Sequence, residues 1–276
     1  NFNKVNTLGY CIGGTLQALC LSYLERTGDK TINSATFLTS MIDFSEPGDL
    51  GFFVDEDIVE KLEVIMEVDG YLEGDHMSQV FNILRANDLI WHFFVNNYLK
   101  GKSPDAFDIL YWNSDSTRLP RKMHSFYLRE MYLKNSLAKP NALEMQGTLI
   151  DITKINSPSC FVSAVEDHIA PWRSTFAGAK LLGGEKTFIL TNGGHVAGIV
   201  NPPESSRYSH YVSKLEFQFP DEWLENANNA NDSWWTTWSS WLADKSGSKI
   251  KALNINQKFV IEDAPGSYVR SNYRDP

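Results

Sequence analysis

At 276 residues and a net charge of −9, the chain can bury one large core, or a core plus an inserted subdomain, and its acidity argues against nucleic acid as a partner. No apolar run reaches the ~20 residues that a membrane span needs, and no signal peptide is visible. Three cysteines, Cys11, Cys20 and Cys160, show neither pairing nor metal-ligand spacing, which points to a reduced cytosolic compartment rather than a disulfide framework.

The apolar stretch Val5 to Leu8 reads as a strand. Gly9-Tyr10-Cys11-Ile12-Gly13-Gly14 follows it and opens a helical pattern over Thr15 to Glu25, with Leu16, Leu19, Cys20 and Leu24 as the apolar positions and Gly28 as the stop. Ser34 to Met41, rich in β-branched and apolar residues, reads as the next buried strand. From Asp43 to about Lys154 the strand–helix alternation is lost. Amphipathic patterns such as Ile58, Leu62, Ile65 and Met66, and aromatic-rich ones around Trp91 to Tyr98, take its place. Alternation resumes with Ser159 to Val165, a helix near Trp172 to Leu182, and a strand over Lys186 to Leu190. Cys20 and Cys160 read as core filler. Trp234, Trp238 and Trp241 recur at helical spacing, and a terminal helix laid against the sheet explains them with less than an aromatic ligand box does.

The expected organisation is α/β: a mostly parallel sheet flanked by helices. Residues 1–42 and 155–276 form its core, and 43–154 an inserted, mainly helical cap. Because the first strand begins so early, the front strands of the sheet are expected outside this stretch. Charge is uneven. Asp43 to Asp75 holds twelve acidic residues and one lysine, whereas Arg118 to Lys139 holds six basic residues and only Glu130 as an acid. That basic stretch reads as a solvated helix face, or as a patch that draws in an anionic substrate.

A nucleophile on a tight strand-to-helix turn needs small neighbours, and Gly9 and Gly13 are placed to meet that need. The turn sets the Cys11 sulfur at a helix N-terminus, where free N–H groups and the helix dipole suit negative charge. It resembles the nucleophile elbow of α/β-hydrolases, with cysteine in the place of serine. That resemblance implies an acid and then a histidine, each on a loop after a strand. After Val165 come Glu166-Asp167-His168, and after Leu190 come Thr191-Asn192-Gly193-Gly194-His195. His195 then takes the thiol proton, and Asp167 orients the ring and supports its charge. Glu166 competes with Asp167, which is preferred because the following turn puts it at the loop bend. His168 reads as a group hydrogen-bonding beside the acid or as a helix cap. The Ile12 backbone N–H is the expected oxyanion donor, with a second donor expected from outside this stretch. No metal site is read.

Further segments carry a closer resemblance: Asn87-Asp88-Leu89-Ile90-Trp91, Asn97-Tyr98-Leu99-Lys100-Gly101, Phe107 to Asn113, Asp167 to Trp172, Gly194 to Pro203, Trp234-Trp235 and Pro265 to Val269. Together with the cysteine box they resemble the catalytic domain of class I polyhydroxyalkanoate synthases over essentially the whole chain. Ala86 and Phe126 depart from it, at positions where that family often has proline and tryptophan. The resemblance implies polymerisation of (R)-3-hydroxyacyl-coenzyme A into polyester through an acyl-cysteine on Cys11, with Asp167 and His195 completing the triad. It further implies no cofactor, a homodimer formed through the cap, and a place in the cytoplasm at polyester granules. A cysteine-dependent acyl hydrolase or thioesterase of the same fold, and a non-catalytic fragment serving association, are the alternative readings.

Overall fold

The computed structural model describes residues 4–84, 90–91, 93–103, 117–252 and 254–270. Ala86, the first three residues of the Asn87 segment, and the Phe107 to Asn113 segment lie outside these. The chain divides into two compact units, Asn1–Leu72 with Leu119–Ser246, and Glu73–Arg118 with Gly247–Pro276.

A six-stranded sheet organises the first unit. Its strands are β1 (Val5–Tyr10), β2 (Ile32–Leu38), β3 (Ser159–Ala164), β4 (Lys186–Thr191), β5 (His210–Lys214) and β6 (Asn228–Ala230), lying side by side in that order. The first four run parallel, and β5 and β6 are antiparallel. Among the described residues β1 stands last on its side of the sheet, and its Val5 and Leu8 are about half exposed. The central strands are apolar on both faces, as a sheet covered on both sides requires. Alternation then sorts their side chains. Phe37, Phe161, Phe188 and Leu190 join one cluster, while Leu38, Cys160, Val162 and Ile189 join the other.

Helix α1 (Ile12–Thr27) starts directly after Cys11 and stops at Gly28, whose φ of 81° provides the left-handed cap that glycine adopts without cost from a Cβ. Its buried face is Gly14, Thr15, Ala18, Leu19, Leu21 and Ser22. Leu16 and Cys20 face solvent, which corrects the reading of Cys20 as core filler. Small residues share that inner face with Leu19 and Leu21, so apolar side chains alone misreport it. Cys160, in contrast, is fully buried.

The stretch expected to be a cap is shared between the units. In the first unit, α2 (Glu56–Asp69) carries Val59 and Met66 inward. Met131, Leu137, Leu143, Ile150 and Ile152 join the same cluster as Phe37 and Phe161. A short hairpin, Leu143–Met145 with Thr148–Ile150, turns through Gln146 and Gly147, both at positive φ. The second unit holds α3 (Gly74–Leu84) and a wide-wound turn, Phe94–Leu99, where Phe94 stacks on Tyr98.

The uneven charge closes on itself. Arg129 forks onto Glu63 at 2.7 and 2.8 Å and also reaches Glu56, Arg121 lies 3.6 Å from Glu67, and in the second unit Arg118 pairs with Glu73 at 3.1 Å. Hydrogen bonds from Arg129 and then Ser125 hold the Glu63 carboxyl down at about 2. These basic residues are anchored to the acidic stretch instead of standing free for a ligand.

After α4 (Arg121–Phe126), α5 (Trp172–Leu181) and α6 (Pro220–Asn226) comes the tryptophan helix α7, Trp234–Asp244. It packs on the sheet as the simpler reading expected. Its indole N–H groups donate to the Gly198 and Ile199 carbonyls and to the Thr36 hydroxyl, at 2.9–3.1 Å.

Candidate active site

Four parallel strands end on one side of the sheet, and the loops that follow them carry the candidate groups, as expected for ligand sites of α/β sheets. β1 leads into Cys11 and β2 into Thr39. Asp167 comes three residues after β3, and His195 four after β4. Cys11 has a φ of 53°, a left-handed backbone that costs an L-residue strain, and its N–H donates to the Leu38 carbonyl at 2.9 Å.

Tight packing enforces the turn. A Cβ on Gly9 would stand 2.6 Å from the Gly14 Cα and 2.7 Å from the Gly13 oxygen, and one on Gly14 would stand 2.0 Å from the Ser40 Oγ. A Cβ on Gly13 would meet nothing within 4 Å. The pair that must stay small is therefore Gly9 and Gly14, not Gly9 and Gly13 as the motif spacing suggested. α1 crosses β1 at Gly14, one residue later in the helix.

Asp167 and His195 meet. The Asp167 Oδ2 is 2.8 Å from the His195 Nδ1, while its Oδ1 accepts the N–H groups of Ile169 and Ala170 at 2.9 and 2.8 Å. The Asp167 side chain is fully buried, whereas Glu166 is exposed, so Asp167 is the acid that faces the ring. Cys11 lies near enough to the imidazole to favour its protonated form. Burial opposes charge on the His195 ring, but the hydrogen bond to Asp167 and then the nearness of Cys11, with the charge of each, outweigh it and carry the ring up to about 9. Ile12, as the first helical residue, presents an N–H that has no acceptor within the helix. His168 turns away from this line: its Nδ1 is 3.8 Å from Asp49, and the ring is half exposed.

Three tyrosines that the sequence reading did not single out border the site. The Tyr10 hydroxyl donates to the His195 carbonyl oxygen at 2.9 Å, and its ring stacks on the imidazole. Tyr127 and Tyr132 meet edge to face, and burial first, then nearby charges including the Cys11 sulfur, raise both phenols. Tyr10, at the variable position of the cysteine box, had a positional signal. The other two carried none, because they reach the site from a distant segment. Thr39 is fully buried with a φ of 41°, and its hydroxyl has no well-formed partner among the described residues. Among those residues, no group of three or more His, Cys, Asp or Glu is placed to hold a metal.

A family model described as the alpha/beta hydrolase fold matches residues 1–202. The chain belongs to the α/β-hydrolase family. Within it, the chain is 44% identical over 268 residues to the poly(3-hydroxyalkanoate) polymerase subunit PhaC of Rhizobium meliloti (strain 1021), covering 97% of this chain and 44% of that protein. It is 42% identical to the subunit of the same name from Rhizobium etli, covering 96% of this chain and 42% of that protein. It is 38% identical to that of Cupriavidus necator, covering 98% and 47%. This α/β-hydrolase chain thus spans less than half the length of these relatives.

Proposed function

We propose that a polypeptide carrying this chain polymerises (R)-3-hydroxyacyl-coenzyme A into polyester, using Cys11 as nucleophile, His195 as proton carrier and Asp167 as its orienting acid. The Cys11 sulfur bonds to the acyl carbon and the coenzyme A thioester bond breaks. Coenzyme A leaves with the proton that His195 took from Cys11. A hydroxyl at the chain end or on the next monomer then gives His195 its proton as its oxygen takes the acyl group, which frees Cys11. The Ile12 N–H stabilises the oxyanion in both halves. No cofactor is needed, because the thioester itself supplies the driving force.

The observation that carries this reading is the contact of Asp167 with His195 beside a cysteine held on a strained turn. The names of the relatives supply the substrate class. In the same reading water is kept from the acyl-cysteine, the 43–154 region provides the contact of a homodimer, and the enzyme works in the cytoplasm at the polyester surface.

The test is incubation with 3-hydroxybutyryl-coenzyme A, following thiol release, insoluble polyester and mass added at Cys11. Cys11→Ala should release no coenzyme A and carry no adduct. Free hydroxy acid without polymer would identify a hydrolase instead, and an adduct on any other residue would overturn the nucleophile assignment.

A further inference from the structure

We propose that Tyr10 is the positioning residue for His195, tying the backbone of the base to the strand that carries the nucleophile. The inference rests on the reading of His195 as the proton carrier for Cys11.

Asp167 holds one ring nitrogen, which fixes the tilt of the imidazole but does not act on the His195 backbone. The loop around it is secured by backbone hydrogen bonds: the Gly193 carbonyl accepts from Glu166, and the Val196 carbonyl from Ile199 and Val200. Gly198 N–H donates to the Gly194 carbonyl, and Trp234 and Trp235 hold the Gly198 and Ile199 carbonyls. The His195 carbonyl itself is held by the Tyr10 hydroxyl at 2.9 Å. The Tyr10 ring lies 5.4 Å from the imidazole, centroid to centroid, and within 23° of parallel. One side chain therefore fixes both the backbone and the ring plane of the base.

Tyr10 is also the residue immediately before Cys11, so nucleophile and base are referenced to the same strand end. Burial, then the charges of Cys11 and Asp167, push the phenol well above the ordinary tyrosine value, so its proton stays available for donation. A misplacement of ~1 Å between reacting groups costs on the order of a hundredfold in rate. That sensitivity gives the hydroxyl its function, and it separates this role from simple packing in the cluster that Tyr10 borders.

The experiment reads thiol reactivity in the purified chain, with iodoacetamide and peptide mass spectrometry across a pH series. Exposed Cys20 provides the reference thiol, and buried Cys160 stays silent. At about pH 6, Cys11 should alkylate faster than Cys20, and His195→Gln should abolish the difference. Tyr10→Phe keeps the ring and removes the donor. It should lower the Cys11 rate about tenfold, leaving the Cys20 rate unchanged and the melting temperature within a few degrees of the wild type. Tyr10→Leu should lower it further, because the stack is lost as well.

A Tyr10→Phe chain that matches the wild type while His195→Gln is slow overturns the positioning role and leaves the functional reading standing. A fall in melting temperature with equal changes at Cys11 and Cys20 overturns it in favour of packing. A wild-type Cys11 no faster than Cys20 overturns the reading of the Cys11–His195 pair, and the Tyr10 proposal with it.

Discussion

His195 carries a proton to an unusually high pH for a buried ring, and the sign of that shift determines how the site responds to pH. A histidine raised from 6.5 to about 9 on folding contributes stability that is fully present below about 6.5 and is lost as pH climbs through about 9. The melting-temperature gap between the wild type and His195→Gln should therefore narrow from pH 6 to pH 10, as thermal melts across that range would show. In the proposed chemistry the charged ring partners the sulfur, so acylation should fall on the same alkaline limb. Asp167→Asn leaves an oxygen for the Ile169 and Ala170 N–H groups but removes the charge, and should move that limb down by one unit or more. A limb that stays near 9 in the asparagine variant would show that Asp167 does not set the charge on His195. The two other cysteines separate in the same way. Cys160→Ala should cost about 1–2 kcal/mol from the space left in the core, while Cys20→Ala on the open face of α1 should cost almost nothing.

The elbow shows how far local sequence can be read. The order of β1, α1 and β2, and the loops bearing Asp167 and His195, were all visible, because a central parallel strand must be apolar throughout and the turns after it carry glycine and polar residues. Which glycine is under pressure was not visible. It depends on where α1 crosses the sheet, a tertiary fact that motif spacing does not encode. Gly9→Ala and Gly14→Ala should each cost about 1–3 kcal/mol or prevent folding, since their Cβ atoms run into backbone or the Ser40 Cβ. Gly13→Ala should be neutral, or stabilise α1 by up to ~1 kcal/mol, because alanine is the better helix former and space is open there. Denaturant melts of the three variants check this, and Gly13→Ala proving the most damaging would reverse the assignment. Tyr127 and Tyr132 escaped detection for the same reason as Gly14. Their approach to Cys11 depends on packing between segments more than a hundred residues apart.

In the first unit, part of the acidic stretch pairs with part of the basic one, Arg129 with Glu56 and Glu63. Patterning alone offered a solvated helix face or an anion-attracting patch there, because one-dimensional charge does not reveal which opposite run will fold alongside. Replacing Arg129 by methionine should loosen α2 from the segment after α4, measurable as faster amide exchange over Glu56–Asp69. Unchanged exchange would make the pairs mere surface decoration. At the end of the sheet, nucleophile and base share one spacer, since β1 ends at Tyr10 and the Tyr10 hydroxyl ties down the His195 carbonyl. Anything that shifts the end of β1 therefore carries thiol and imidazole along together, so strain in the sheet should reach the site as a displacement of the pair and not as a gap opening between them.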